Sequence, residues 1–524
     1  MSDLEDLGFD SQEYADQLGY TDELGRGDHS EPNLVRAETP GARQRGLTRR
    51  ELLVKGGLGA AAISGAGALA GPAAAKPAHA ESSGKYTGTL NMISLGVEWP
   101  AGAQAQAEKD LGVKFNVQLL STNAQVQKSI TAPDSFDIGG LYNYQMFPIW
   151  PTGNFQPVDR TKFTAWNDYY PLFTKGRTVS SDTSRTFGQG DAPFRVLFLD
   201  TGGSANGVGK STGLPLTKEG PTTNTQIVQW WNEATNSPNG GKAQPQWVLG
   251  GTAHFNMDSM GYNGDVIKKA PNQVHWGELL NPAWKGRVAL LNDSGIALQD
   301  AGNAVKQLGL MKFADLGNMT KPEIDGLIKI MISYKKKGQF RAFWATFNES
   351  VNLMSSKEVV IESMWSPAVA LLTAQGVPVR YAYPPEGMRG WCGCQAIPKH
   401  VTGDKLTAVY DYMNWMNEGF LGALIMRQGY YVSNGKTLPA WLNSPRATST
   451  GKPAFTMDEY EYWYNGKPAA KDLPGITGHV GDIKKGTTRD GGSFLQRSKN
   501  YSSWNSFFKE SVYQVKRYND FLSA

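Results

Sequence analysis

The stretch T-G-G-S-A-N-G-V-G-K-S-T, residues 201–212, decides whether this chain reads as a nucleotide hydrolase. A phosphate-gripping loop needs Gly, four residues, then Gly-Lys-Ser/Thr, because successive backbone N–H groups must converge on one phosphate. Counting back from Gly209 puts the required glycine at Ser204, and Gly203 leaves five intervening residues. A helix should also open after Lys210, so that its N-terminus faces the anion. Instead S-T-G-L-P-L-T follows, where Gly213 and Pro215 break a first turn. The apolar run V-L-F-L-D, residues 196–200, reads as a buried strand ahead of the loop. The unit is a strand with a glycine-rich turn, and its purpose must come from the architecture around it.

The N-terminal region gives the chain an address. Residues 48–55 read T-R-R-E-L-L-V-K, followed by a Gly- and Ala-rich run from Gly56 to Ala75 and a small-x-small site at Ala78-His79-Ala80. Paired Arg49-Arg50 ahead of a weakly apolar core is similar to a twin-arginine export signal over 48–80. The run is too rich in Gly to hold a membrane span well. Residues 1–47 carry eleven acids before residue 47 against four Arg and read as a disordered acidic leader. After residue 80 there are 44 bases and 36 acids, a spread-out +8 with no Lys/Arg stripe, which gives no footprint for nucleic acid. No later apolar run is long enough to span a bilayer. Two late cysteines, Cys392 and Cys394, form no disulfide framework and read as buried free thiols. An extracytoplasmic protein follows.

Along residues 87–141 the pattern is strand (87–93), helix (102–111), strand (113–119), helix, strand (136–141), which predicts a parallel sheet flanked by helices. Helical turns are expected around 226–232. A second α/β series begins with a strand at 287–291 and a helix at 294–308. Thr320 and Glu323, with Pro322 between them, form a capping box opening the amphipathic stretch 324–334. Strands at 359–364 and 379–383 bracket a helix that starts at Ser366-Pro367 and ends at Gly376. Helices follow at 404–416 and from Asn505 to the end.

The blocks F-D-I-G-G-L-Y-N-Y, N-P-A-W-K-G-R-V-A-L-L-N-D, E-V-V-I-E-S-M-W-S-P-A, V-P-V-R-Y-A-Y-P-P-E-G with W-C-G-C-Q-A-I-P, and R-Q-G-Y-Y-V-S-N occur in that order over residues 85–440. In this order they resemble the spermidine/putrescine-binding family, the substrate-capturing subunits of ABC importers. The resemblance implies an α/β, two-lobed periplasmic-binding fold of type II with a hinge between lobes. Residues 84–198 and 393–438 would form one lobe, and residues 203–390 and 440–524 the other. Residues 196–206 would be the first crossover and 391–395 the return.

The resemblance further implies a cleft of aromatic walls and carboxylates, since aromatic faces attract cations. Position by position, it places Tyr142 and Tyr144 on a first-lobe loop, Trp365 after E-S-M, Trp391 at the return crossover, Tyr430 in the R-Q-G-Y-Y block, and Trp99 near the first strand. The family's carboxylate after the crossover tryptophan is Gly393 here. Its acidic pair on the N-D-S-G-I-A loop becomes Ser294 and Ala297, with Asp293 out of register. The aromatic cage is kept and the diamine anchors are lost, which suits a quaternary or singly charged amine. Glu98, Glu362 and Glu386 are spare acids, Glu386 the best placed. The implied function is capture of a small organic cation for an inner-membrane ABC permease, after export by the twin-arginine translocase. It calls for no cofactor, no metal and no catalytic residue, and for a monomer. An iron- or oxyanion-binding importer subunit would want Tyr clustered with His or bases, and only Tyr430-Tyr431 are adjacent. A secreted hydrolase would want a nucleophile and base, and the four late histidines (254, 275, 400 and 479) are scattered, with no H-E-x-x-H and no G-x-S-x-G.

Overall fold

A computed structural model describes residues 86–175, 188–200, 214–215, 226–228, 230–232, 235–252 and 254–524. The acidic leader, the export signal and the Gly-rich stretch 201–212 lie outside the described residues. The first series folds as β1 (Thr89–Ser94), α1 (Ala103–Leu111), β2 (Lys114–Leu119), α2 (Thr122–Thr131), β3 (Ile138–Tyr142) and α3 (Asn143–Ile149). Both β2 and β3 lie parallel to β1, as the alternation of strand and helix dictates. Ser121 caps α2, its side chain accepting the Ala124 N–H at 3.3 Å.

A long strand then follows, β4 (His254–Asn263), buried throughout. The second series is β5 (Val288–Leu291), α4 (Ser294–Gln307), α5 (Lys321–Lys336), β6 (Phe340–Trp344), β7 (Ile361–Met364) and α6 (Ser366–Ala374). Here β5 is parallel to both β6 and β7. The capping box of Thr320 and Glu323 opens α5. The eleven-residue strand β8 (Met388–Pro398) returns, also fully buried. The chain ends in β9 (Tyr501–Trp504) and α7 (Ser511–Ser523).

The main sheet runs β6-β5-β7-β4-β8-β3-β1-β2, so the two parallel groups are joined by β4 and β8. These strands pair antiparallel, Phe255 opposite Cys392 and Asp258 opposite Arg389. The far half of β8 pairs with β3, Gly393 opposite Tyr142. One strand pair therefore bridges both groups. The return crossover at 391–395 falls inside β8. In the main sheet the strand that pairs with it is β4, and of the expected first crossover, 196–206, only residues 196–200 are among the described residues. Phe198–Asp200 instead joins a separate five-stranded sheet with Trp247–Val248 and Gln226–Ile227. Its apolar residues pack Trp230 and Trp166 instead of crossing. The helical turns expected at 226–232 are short strands, Gln226–Ile227 and Trp231–Asn232, because Trp and Ile fill a pleated surface well.

Apolar cores lie on both sides of the strand pair. One collects Leu90, Met92, Phe115 and Ile138, and another Leu290, Val305, Leu327 and Ile361, closed by Tyr518 and Phe521 of α7. At the centre, Arg389 of β8 and Asp300 of α4 form an ion pair, Nε donating to Oδ1 at 2.7 Å, with both side chains at or below 1 % exposure. Removing one partner strands a buried charge, at a cost of about 3–5 kcal/mol. Asp300→Leu should therefore lower the urea-unfolding free energy by about that much. Adding Arg389→Met should restore most of it. Additive losses in the double variant would contradict the pairing.

Candidate functional site

The period of β4 shows where a site can form. In H-F-N-M-D, His254, Asn256 and Asp258 alternate with Phe255 and Met257, so one face of the strand is polar while the other enters the core. Beyond Asp258, the same face carries Met260 and Tyr262 into the second apolar core. The polar stretch is thus confined to the point where the strand passes from one parallel group to the other. A buried polar face of this kind must be paired.

Trp391, on the paired strand, donates from Nε1 to Asp258 Oδ2 at 2.6 Å. Tyr381 Oη donates to Asp258 Oδ1 at 3.2 Å and Asn256 Nδ2 to the same oxygen at 3.0 Å. Around this carboxylate the aromatic rings close in. Trp391 meets Tyr430 edge-on at 5.0 Å, Tyr142 at 5.1 Å and the His254 ring at 5.6 Å. His254 stacks on Tyr430 at 6.3 Å, and Tyr142 on Tyr144 at 5.9 Å. All of these side chains are buried.

Gly393 has a structural reason here. A Cβ at that position would lie 2.7 Å from Cε1 of His254, so the imidazole occupies the space of a side chain at 393. His254 Nε2 in turn lies 3.1 Å from Glu98 Oε1, both buried. An imidazole–carboxylate pair stands where a side chain on β8 would otherwise reach the cage. Tyr144 Oη donates to Asp293 Oδ2 at 2.8 Å, while the other Asp293 oxygen caps α4 through the Gly295 and Ile296 N–H groups. Asn123 Nδ2 also donates to the Asn292 carbonyl at 3.3 Å. These two bonds tie the β3–α3 side to the β5–α4 side across the cage.

Burial pushes the Asp258 carboxyl up to about 6, against the pull of Arg389 and of its Trp391 and Tyr381 bonds. Burial first, then the charges of Glu98 and Asp258 among others, hold the Tyr142 and Tyr430 phenols well above their ordinary range. Both phenols stay protonated. That both rings feel both acids places Glu98 and Asp258 around one aromatic cluster.

The structure brings together Tyr142, Tyr144, Trp391 and Tyr430 of the expected residues. Ser294 stands beside them as the first residue of α4, its carbonyl accepting Gln514 Nε2 at 2.9 Å. Trp365 packs edge-on to Trp344 at 5.1 Å, and its neighbours bond to the residues around Asp258, the Met364 carbonyl 3.0 Å from Tyr381 Oη and Ser366 Oγ accepting Asn256 Nδ2 at 3.0 Å. Trp99 packs with Phe115 and Tyr412 in the first core and is not a wall of the cage. Glu386 lies ahead of β8 and pairs with His275, beside a surface hollow of about 400 Å³ lined by His275, Glu278 and Gln307. Glu362 is buried in β7, where burial holds its carboxyl well above the usual range and Ser350 Oγ donates to it at 3.1 Å. Asp258 and His254 were not singled out from the sequence, although their alternation with Phe255 and Met257 was the available signal. Cys392 and Cys394 are buried and free, and burial raises both thiols. Among the described residues no group of three or more His, Cys, Asp or Glu is placed to hold a metal, and no helix is long and apolar enough to cross a membrane.

Residues 252–419 match the model of a family described as bacterial extracellular solute-binding protein. Similar solved structures include a spermidine/putrescine ABC transporter protein from Listeria monocytogenes, at 15 % identity over 83 % of this chain and 98 % of that one, with a TM-score of 0.48. A lipoprotein of Treponema pallidum is 9 % identical over 83 % and 98 % of the two chains, with a TM-score of 0.47. The PBP AgtB of A. tumefaciens, solved with agropinic acid, is 16 % identical over 70 % and 88 %, with a TM-score of 0.43.

The raised Asp258 gives a pH signature. Unfolded, its carboxyl ionises near the ordinary 3.8; folded, near 6, so the folded state holds the extra proton in between. Stability from this group is present below pH 4 and is lost as pH rises to 6, by about 3 kcal/mol. Between pH 4 and 6.5, urea unfolding of Asp258→Asn should lack that share of the slope. Parallel wild-type and variant curves would contradict it.

Proposed function

We propose that this chain, whose residues 252–419 match an extracellular solute-binding family, is a solute-binding protein that captures a small organic cation in the cage of Trp391, Tyr430 and Tyr142, with Asp258 as counter-charge. The observation that carries the reading is a buried carboxylate at the meeting point of three aromatic rings. An ammonium placed on those faces gains about 2 kcal/mol or more when desolvated. It also adds a positive charge beside Asp258, whose ionised form burial disfavours despite Arg389 and its hydrogen bonds. Glu98 is already engaged by His254, so Asp258 is the carboxylate for one ammonium. The acids that the sequence blocks lack at 393 and 294 are replaced from β4, a strand outside those blocks.

The cage is closed, so entry requires the β1–β3 group and the β5–β7 group to part about β4 and β8. The Tyr144–Asp293 and Asn123–Asn292 bonds are the contacts that open. In this reading the closed form delivers its solute to an ABC permease, and the chain reaches its compartment by the twin-arginine route as a monomer. The two importer alternatives find less support: the acids and rings suit a cation rather than an oxyanion, and no metal-holding group is present among the described residues.

A thermal-shift screen of the full-length chain with putrescine, spermidine, choline, glycine betaine, ferric citrate and sulfate tests the reading. One or more amines should raise Tm. In calorimetry their affinity should fall as pH drops from 7 to 5, because Asp258 takes up a proton. Asp258→Asn should weaken the best amine by about tenfold or more. A shift with ferric citrate or sulfate alone, or an unaffected Asp258→Asn, would overturn it.

A further inference from the structure

Strand β9 and the turn after it form part of the wall of the cage. They lie beyond residue 440, past both the family match and the blocks of the family resemblance. Strand β9 runs parallel to β8, with Trp504 in register with Gly390, and the Asn505 N–H donates to the Gly390 carbonyl at 3.0 Å. Asn505 therefore sits beside the residue that precedes Trp391. Phe507 packs edge-on against Phe147 of α3 at 4.5 Å, and Phe508 against Tyr144 at 5.8 Å. The segment 505–508 is wedged along α3, the helix that begins at Asn143 between Tyr142 and Tyr144 of the cage.

This wall carries polar groups with nothing to bond. Both amide atoms of Asn505, the Ser506 hydroxyl and both amide atoms of Asn143 are buried without a hydrogen-bond partner, and all three residues are at or below 1 % exposure. Across the interior of a folded protein such groups are nearly always paired, since each orphan costs free energy. Among the described residues 24 buried side-chain atoms lack a partner, and five of them fall in two residues of this turn and the first residue of α3, against which the turn packs through Phe507. An amide offers one donor face and one acceptor face, and a hydroxyl offers both. None of the three carries charge. A second ammonium would find no carboxylate among them.

We infer that Asn505, Ser506 and Asn143 form a second subsite, which takes a neutral hydroxyl or carboxamide group on the amine whose ammonium rests at Asp258. The inference builds on the amine reading above and narrows it. The ligand is an amino alcohol or amino amide rather than a simple diamine, and the C-terminal segment supplies part of its specificity.

Three probes of equal chain length separate the possibilities: putrescine, 4-amino-1-butanol and 4-aminobutanamide, titrated calorimetrically into the full-length chain. The amino alcohol or the amino amide should bind about tenfold or more tightly than putrescine, the effect of leaving buried polar groups unpaired. Asn505→Leu should abolish that preference. Ser506→Ala removes a single hydroxyl and should reduce the preference in the same direction; it carries the test if Asn505→Leu loses cooperative unfolding. Putrescine binding as tightly as the others, or a preference that survives both variants, would overturn the subsite while Asp258-dependent binding of all three kept the amine reading intact. If none of the three binds and no other amine does, both readings fall together.

Discussion

Everything in this molecule depends on the pairing of β4 with β8. These strands alone carry the main sheet from one parallel group to the other, and every residue of both is buried. A strand pair buried on both faces is expected to be uniformly apolar. This one holds His254, Asn256, Asp258 and Arg389. Asp258 is held by Trp391, Tyr381 and Asn256, and Arg389 by Asp300, which also accepts from Ser363 Oγ at 2.5 Å, while Asn256 Oδ1 and Arg389 Nη1 are buried without a hydrogen-bond partner. The polar seam costs stability relative to an apolar one.

The seam also explains how a closed cage can be a functional state. Trp391 and Asp258 belong to the crossing strands, Tyr142 and Tyr144 to the first group, and Asp293 to the second. In the proposed reading, closing the two groups assembles the cage, and parting them would separate the Tyr144–Asp293 bond and expose the rings. The C-terminal part of the chain is built into the same arrangement. Strand β9 lies beside β8, Tyr518 Oη of α7 donates to the Leu291 carbonyl at 2.9 Å, and Arg497 Nη2 donates to the Met257 carbonyl at 3.2 Å. Residues beyond 440 thus touch β4, β5 and β8. They hold the frame of the site and are no appendage.

The parallel elements were legible in the sequence because their signals are local. Alternation in V-K-F-N-V-Q-L, the Asn-Asp-Ser turn before α4, and the Thr320–Glu323 box each specify an element through its own residues. Tyr142, Tyr144, Trp391 and Tyr430 were legible as candidates through the ordered blocks that resemble a known family; their clustering is what the structure adds. The sequence reading put the outgoing crossover at 196–206 on the strength of an apolar run, and gave no reading of H-F-N-M-D-S-M-G-Y-N, the stretch that forms β4. That omission hid Asp258, whose role depends on a partner strand 130 residues away in sequence. Trp99 and Glu386 were drawn to the site by nearness in sequence, and tertiary packing sends them to the first core and to His275. The long-range pairing of β9 with β8 has no local signal, so a helix from Asn505 was the natural expectation. The real helix begins at Ser511, after a turn in which the Asn505 and Ser506 side chains are buried without a hydrogen-bond partner.

The central claim is that a cation rests on Asp258 within the aromatic cage. The most direct measurement is a crystal structure of the full-length chain grown with the tightest-binding amine. The account predicts the nitrogen within salt-bridge distance of an Asp258 oxygen, with Trp391 and Tyr430 against its alkyl or ammonium surface. An amine bound elsewhere, with the Trp391–Asp258 and Tyr144–Asp293 bonds intact and the cage filled only by its own rings, would contradict it.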